Sequence, residues 1–179
     1  MILGNEIRLR ALEKEDLPRC VAWLNDPEVT AGLQITTPLS LLQEEAWFEK
    51  ILKHPVEEQP LAIEVLLKGT WTHIGITGFD TINWLSRCAE VGIFIGEKTF
   101  WNQGWGTRAM RLMLRYAFNT LNLNRVKLYV YETNRRAIQS YKKAGFVEEG
   151  RMRQDRFING QYVDAVFMGI LRSEWQDVD

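Results

Sequence analysis

The chain has 179 residues, of which 46% are hydrophobic and 25% charged, and these values are typical of one soluble globular domain. Its formal net charge of −1 gives no electrostatic reason to expect a nucleic acid or an anionic membrane as a partner. The two cysteines, Cys20 and Cys88, lie far apart and only two histidines accompany them, so we expect no metal site.

The N-terminus has no basic segment followed by a long apolar one, and it leads straight into a predicted strand. No run of residues approaches the roughly 20 apolar residues that a membrane-spanning helix needs. We therefore expect neither a signal peptide nor a membrane span, and a cytoplasmic protein with reduced cysteines.

The first elements in chain order are a strand and two helices. Alternating side chains over residues 6–12 predict a half-buried strand. A helix is predicted to begin at Asp16-Leu17-Pro18, because an aspartate cap and an early proline are typical of helix starts, and to stop at Asn25-Asp26-Pro27. Residues 28–39 are predicted to be irregular, and a second helix is predicted over residues 40–53.

Three strands are predicted next, over residues 61–67, 72–81 and 88–95, with Gly75 and Gly78 breaking the second of them. The turns between them are short, so neighbouring strands should pair antiparallel. This part of the chain is therefore predicted to form a meander.

The second half begins with a glycine turn and a long amphipathic helix that is predicted to reach Leu121. A strand over residues 125–131 and a short helix over residues 134–144, ended by Gly145, follow. Strands over residues 146–155 and 162–171 are predicted to form a hairpin at Asn159-Gly160. Since no repeat or linker is found, residues 1–179 are predicted to form one mixed α/β domain.

The segment from Phe100 to Ala109, Phe-Trp-Asn-Gln-Gly-Trp-Gly-Thr-Arg-Ala, carries the strongest functional signal. Two glycines one residue apart let the backbone bend, and the free N–H groups of a helix start attract phosphates. The following helix has no acidic residue before Asn119. The alternative is that this turn is only a tight connection between two elements and binds no ligand. The Walker lysine and the third glycine of a dinucleotide motif are both missing, which disfavours nucleoside triphosphates and nicotinamide cofactors.

A second segment, Asn134 to Phe146, completes a pattern that resembles the GNAT superfamily of N-acetyltransferases. Gly104-Trp105-Gly106 matches the glycines of that family's pyrophosphate loop, Q/R-x-x-G-x-G/A, and Trp101 stands in place of its first residue. The opening, residues 7–17, resembles the RimJ/RimL branch. The closing hairpin, residues 146–164, is similar to that of bacterial spermidine acetyltransferases.

The resemblance implies a mostly antiparallel mixed sheet, flanked by helices, that splays between the strands at 88–95 and 125–131. It also implies acetyl-CoA as cosubstrate. Its pantetheine arm is expected to bond to the main chain of Phe94 and Ile95 in the gap, and its pyrophosphate to the amides of residues 102–107. Lys143 or Arg136 is expected to reach the phosphates at the adenosine end. The cofactor-binding residues implied are Phe94, Ile95, Trp101, Asn102, Gln103, Gly104, Trp105, Gly106, Thr107, Asn134, Ala137 and Lys143.

The resemblance also suggests catalytic roles. Tyr141 matches the family's general acid, which protonates the departing CoA sulfur, and a phenol suits that task because its ordinary pKa is about 10. Glu90 stands where relatives place a base, with water as the alternative. The amide of Ile95 is expected to polarise the thioester carbonyl.

The acceptor is predicted to be a protein N-terminal amine or a small amine, with Leu33 and Trp84 as candidate contacts. Residues 29–37 contain no carboxylate, and this disfavours a polyamine such as spermidine, whose ammonium groups need counter-charges. Polyamine acetylation, an acetyl-CoA-binding sensor without activity, and a nucleic-acid-binding protein are kept as alternatives. Whether the chain forms a homodimer is left open.

Overall fold

The computed structural model describes residues 1–33, 35–158 and 160–177. Within these residues, eight strands form one sheet in the order β1-β2-β3-β4-β5-β6-β8-β7. All neighbouring pairs are antiparallel except β5 and β6, which are parallel. The strands are β1 (Ile2–Leu3), β2 (Ile7–Ala11), β3 (Leu61–Leu67), β4 (Thr70–Asn83), β5 (Cys88–Ile95), β6 (Arg125–Tyr131), β7 (Val147–Ile158) and β8 (Gln161–Leu171).

Helices cover both faces of this sheet. On one face, α4 and α5 pack over a core that includes Met110, Leu128 and Ile170. On the other face, α1, α2 and α3 cover a smaller cluster around Trp23 and Phe48. None of the helices among the described residues is long and apolar enough to span a membrane. The helices are α1 (Leu17–Leu24), α2 (Pro27–Thr30), α3 (Leu41–Ile51), α4 (Trp105–Arg115) and α5 (Arg135–Ala144).

The predicted strands β3, β5 and β6 have the bounds that the sequence indicates, and the meander β3-β4-β5 is antiparallel as predicted. The break predicted in β4 was wrong, because that strand runs without interruption past Gly75 and Gly78. A Cβ at Gly75 would lie 2.2 Å from the carbonyl oxygen of Phe94. This glycine therefore allows β5 to approach closely rather than ending a strand.

Two predictions about the helices also needed correction. Asp26 does not only end α1: it caps α2 by accepting the N–H of Glu28, so a short helix lies in the segment predicted to be irregular. The helix after the glycine turn is α-helical only to Arg115 and continues as a wider π-type turn over Tyr116–Thr120. The hairpin turn predicted at Asn159-Gly160 includes Asn159, which lies outside the described residues.

The feature that positions the site is the splay between β5 and β6. These strands pair only at Cys88–Glu90 with Arg125–Lys127. Beyond Glu90, β5 continues beside β4 while β6 continues beside β8, and no ladder joins them. The predicted V-shaped gap is thus present in the sheet.

Candidate active site

A cleft of about 1320 Å³ follows this gap. It is lined by main chain and side chains from both helical layers and from the hairpin β7-β8. Fourteen of the sixteen predicted site residues line it, namely Leu33, Glu90, Phe94, Ile95, Trp101, Asn102, Gly104, Trp105, Gly106, Thr107, Asn134, Ala137, Tyr141 and Lys143.

The other two predicted residues do not line the cleft. Trp84 is 50% exposed in the turn between β4 and β5, at the end of β5 where that strand is still paired with β6. Gln103 lies in the glycine loop, but its side chain donates to the carbonyl of Thr99 and accepts from the indole N–H of Trp105. Its role in this loop is to brace the turn.

The glycine loop forms an anion cradle at the start of α4. Asn102 and Gly104 both have left-handed backbone conformations, with φ of 60° and 84°, so the chain curls and its N–H groups turn inward. No side chain caps the first turn of α4, and no acidic residue lies in it. A Cβ built on Gly104 would meet no atom within 4 Å, so open space lies beside this backbone. The free N–H groups and the positive end of the helix dipole suit a phosphate.

The open edge of β5 offers main-chain partners to an extended ligand. Gly96 donates to the carbonyl of Ile74, and because hydrogen-bonding direction alternates along a strand, Phe94 also points toward β4. The groups that face the gap therefore belong to Ile93 and Ile95, which corrects the expectation that Phe94 offers its main chain there. The carbonyl of Ile95 already accepts from the Trp101 indole at 2.7 Å, whereas its N–H faces the gap.

Cations collect at the α5 end of the loop. The guanidinium carbon of Arg136 lies 3.6 Å from the ring centroid of Trp101, a cation–π stack that fixes it at the cleft. Burial lowers the pKa of Arg136. Arg135 and Lys143 line the same part of the cleft. By contrast, Arg108 donates to the carbonyl of Asn5 and stacks on Trp105, so this cation of α4 serves the fold.

Asn134 joins the two sides of the gap. Its side-chain oxygen caps α5 by accepting the N–H of Ala137 at 3.2 Å. A Cβ on Gly32 would lie 2.3 Å from the amide nitrogen of Asn134, so the segment after α2 packs directly on this side chain. Gly32 and Leu33 therefore cover the cleft from the side of α2.

Tyr141 reaches the cleft from α5, on the face that α4 also covers. It is 8% exposed, and burial raises the pKa of its hydroxyl to about 12. Within the described residues this hydroxyl has no hydrogen-bond partner. The phenol thus keeps its proton throughout the physiological range and has it available for a ligand.

Carboxylates lie on the opposite face. Ala89 and Val91 belong to the core beneath α4, so alternation along β5 turns Glu90 and Gly92 to the face of α1–α3. Glu90 pairs with Lys127 across the last rung of the ladder, with 3.3 Å between Oε2 and Nζ. The two sides of the splay therefore differ in chemistry, with a phenol on one and carboxylates on the other.

Asp80 is a cleft residue that sequence reasoning missed. Phe79 pairs with Val91 and Thr81 with Glu90, which leaves Asp80 as the extra residue of a β-bulge. Such bulges re-aim side chains. The Asp80 carboxylate lies 3.4 Å from where a Cβ on Gly92 would be, and its pKa is raised by burial and by the charge of Glu90. Asp80 is the one acidic residue in the sequence of β4, and this was the available signal.

Asp155 and Arg156, from β7, were also missed. Both line the cleft, and Arg156 Nη1 lies 3.2 Å from Asp155 Oδ2. The geometry between these two atoms is too poor for a hydrogen bond, so that oxygen stays without a hydrogen-bond partner among the described residues.

These features fit acetyl-CoA. The curled loop suits a pyrophosphate, the free edge of β5 suits an amide-bearing arm, and the stacked Arg136 suits a further phosphate. Within the described residues, no cluster of histidine, cysteine and carboxylate side chains could hold a metal ion.

Comparison with known proteins agrees with this fit. A family model described as the acetyltransferase (GNAT) domain matches residues 6–147. The chain belongs to the GNAT acetyltransferases. It is an enzyme, an acetyl-CoA-dependent N-acetyltransferase, and its eight-stranded splayed sheet has the GNAT fold.

Its relatives include spermidine acetyltransferases and a putative ribosomal acetyltransferase. Spermidine N(1)-acetyltransferase from Vibrio cholerae is 32% identical over 174 residues, which cover 97% of each chain. The crystal structure of a Vibrio cholerae spermidine N-acetyltransferase with CoA and spermine superposes with a TM-score of 0.84 at 30% identity, covering 96% of this chain and 98% of that one. A putative ribosomal N-acetyltransferase from Bacillus subtilis, YdaF, is 33% identical over 102 residues, which are 57% of this acetyltransferase and 55% of YdaF.

Proposed function

We propose that this acetyltransferase moves an acetyl group from acetyl-CoA to a primary amine of a polyamine such as spermidine. The observation that carries the proposal is that three carboxylates from strands of the sheet, Asp80, Glu90 and Asp155, line the cleft. Each ammonium group of a polyamine needs such a counter-charge when it leaves water. The extended similarity to spermidine acetyltransferases supports the same acceptor class.

This proposal reverses the argument made from residues 29–37. That segment, described except for Gln34, has no carboxylate and contributes Val29, Ala31, Gly32 and Leu33 to the cleft. The acidic groups come instead from the neighbouring strands β4 and β5 and from β7, which lies much later in the sequence. The missing acidic loop therefore does not argue against a polyamine.

Residues of the glycine loop and of α5 would hold acetyl-CoA. The amides of residues 102–107 bind the pyrophosphate, and Arg136, with Lys143, binds the phosphates at the adenosine end. The N–H groups of Ile93 and Ile95 hold the pantetheine arm, and the latter polarises the thioester carbonyl. Acetyl-CoA supplies an acyl carbon whose bond to sulfur breaks when the amine attacks.

Tyr141 would act as the general acid. It lies on the face from which the cofactor enters, while the carboxylates lie on the face left for the acceptor. Its hydroxyl gives a proton to the departing sulfur as the carbon–sulfur bond breaks, and it recovers one from the nitrogen as the new nitrogen–carbon bond forms. Removal of the first proton from the acceptor ammonium falls to Glu90 or to water on the acidic face.

Replacing Tyr141→Phe tests this role. Because the hydroxyl has no hydrogen-bond partner in the described part of the protein, we expect little change in thermal stability or in acetyl-CoA affinity. General-acid catalysis contributes roughly 10²- to 10⁴-fold, so kcat should fall by about that factor. Tyr162→Phe, a change at a side chain that is 65% exposed and outside the cleft, is the matched control. Unchanged turnover in Tyr141→Phe would remove this residue from the mechanism.

A panel of acceptors tests the function itself. We expect release of CoA thiol with spermidine and spermine, and less with a monoamine of similar length. Peptide N-termini belong in the panel because of the ribosomal relative, and amino sugars serve as a further class. Binding of acetyl-CoA without turnover on any amine would favour the sensor alternative over an enzyme acting on polyamines.

Membership of the RimJ/RimL branch, a cytoplasmic location and a homodimer stay predictions. Sedimentation of the purified protein and fractionation of cells address the last two.

A further inference from the structure

Four carboxylates line the cleft within the described residues, and three of them have a cationic partner. Glu28 lies 2.8 Å from Lys98 Nζ, Glu90 lies 3.3 Å from Lys127 Nζ, and Asp155 lies 3.2 Å from Arg156. Asp80, the fourth, makes neither a hydrogen bond nor an ion pair with any described residue. Part of the Asp80 side chain is exposed to solvent in the cleft, so its charge can pair with a cation that enters there.

Asp80 lies at the point of the sheet where β5 and β6 separate. The bulge in β4 turns its side chain toward Gly92, two residues beyond the last rung that joins β5 to β6. Because Gly92 has no side chain, nothing at that position separates the Asp80 carboxylate from the point where β5 and β6 diverge. Asp80 therefore lies on the acceptor face, beside the place where the sheet opens.

We propose that Asp80, rather than Glu90, binds the reacting ammonium of the acceptor and removes its first proton. This inference rests on the proposed function and names the acceptor-binding group of that same site. Glu90 is committed to Lys127, which makes it the weaker candidate for a base. Its negative charge next to Asp80 instead strengthens the attraction of Asp80 for a proton and for a cation.

The proton balance of this step is complete. Asp80 takes one proton from the ammonium and passes it to solvent, which leaves a neutral amine with a free electron pair. The amine forms the nitrogen–carbon bond, and its second proton restores the hydroxyl of Tyr141 after that group has protonated the sulfur. The net change is one proton released to solvent for each acetyl group transferred.

The groups around Asp80 determine how its protonation responds to pH. From β5 it faces Glu90, whose partner Lys127 comes from β6, and from β7 the pair Asp155–Arg156 lines the same cleft. Burial and the charge of Glu90 raise the pKa of Asp80. Activity should therefore fall on the acid side as Asp80 becomes protonated. Glu90→Gln should move that fall to lower pH without abolishing turnover, since it removes the neighbouring negative charge.

The decisive experiment compares Asp80→Asn with Glu28→Gln, which neutralises a cleft carboxylate that is already paired with Lys98. Binding of spermidine to each purified full-length protein is measured by calorimetry without acetyl-CoA, and kcat/KM is measured between about pH 5 and 9. A hydrogen bond to a charged group is lost in Asp80→Asn, so we expect spermidine binding to weaken about ten- to a hundredfold. The acid limb of the pH profile should disappear. Glu28→Gln should change neither quantity by more than about twofold.

The outcomes separate this inference from the proposed function. Spermidine binding and a pH profile that are unchanged in Asp80→Asn would overturn the role of Asp80 while leaving a polyamine acetyltransferase in place. Loss of the acid limb in Glu90→Gln but not in Asp80→Asn would return the base to Glu90. A wild-type protein that neither binds nor acetylates spermidine would refute the proposed function and this inference together. Melting curves of Asp80→Asn at neutral pH exclude a purely structural role if the variant is as stable as the wild type or more so.

Discussion

Gly104 allows a quantitative test of the phosphate cradle, because the structure supplies a second glycine of the same kind elsewhere. Gly104 has a φ of 84° and Gly69, in the turn between β3 and β4, has a φ of 83°. A Cβ at either position would meet no atom within 4 Å. An alanine in a left-handed backbone conformation lowers the stability of the fold by about 1–2 kcal/mol. Contacts of the new methyl group add no further loss at either site, because no atom lies near it. Both Gly104→Ala and Gly69→Ala should therefore lower the melting temperature by roughly 2–4 °C for each kcal/mol.

The two variants should differ in cofactor binding. The new methyl group at Gly104 projects into the open space of the cleft, and any relaxation of the strained turn misaligns the amides of the cradle. Loss of one hydrogen bond to a phosphate weakens binding about ten- to a hundredfold. Titration of CoA by calorimetry should show that loss in Gly104→Ala and none in Gly69→Ala. Equal affinities in the two variants would mean that the pyrophosphate does not bind at this loop.

Two further predictions concern stability. Ser40 accepts the N–H of Gln43 at 3.2 Å, and the Gln43 side chain accepts the N–H of Ser40 at 2.9 Å. Ser40→Ala should therefore lower the free energy of unfolding, measured in urea, by about 1 kcal/mol and leave the CoA affinity unchanged. An unfolding midpoint equal to that of the wild type would contradict this capping box. For Asp80, the folded-state pKa lies above that of the unfolded chain. The folded state thus binds the proton more tightly and loses stability as pH rises from the ordinary carboxyl pKa through the raised one. The free energy of unfolding of Asp80→Asn should equal that of the wild type in strong acid and exceed it at neutral pH. A lower free energy of unfolding at neutral pH would show that the charge of Asp80 stabilises the fold.

Much of the fold could be predicted because local signals agree with the tertiary structure. Turn residues flank β3, β5 and β6, and Gly145 ends α5 as expected. The errors arose where one signal serves two structures. Asp26-Pro27 resembles a helix stop, yet an aspartate before a proline is also a helix start, and here it begins α2. A glycine within a strand can mark a break or a close contact, and only the position of Phe94 decides between them at Gly75.

The site could be predicted only where a continuous motif encodes it. The cradle residues and Tyr141 lie in two motifs with fixed spacing, so their positions followed from the resemblance. Glu90 was also named from the resemblance, but Asp80 and Asp155 lie in no such motif, because only the fold brings β4 and β7 to one cleft. The bulge that aims Asp80 is a register shift of one residue, and a single sequence does not reveal which residue is extra.

The short ladder between β5 and β6 affects the behaviour of the whole molecule. Three residue pairs connect the half-sheet β1–β5 to the half-sheet β6–β8, so the backbone hydrogen bonds that join the two halves of the sheet are few. A ligand that binds along the free edge of β5 only while the fold is intact stabilises the folded protein by linkage. Amide hydrogen exchange on both halves should then report the concentration of the cosubstrate. The protein's resistance to proteolysis in a cell would follow the acetyl-CoA supply in the same way.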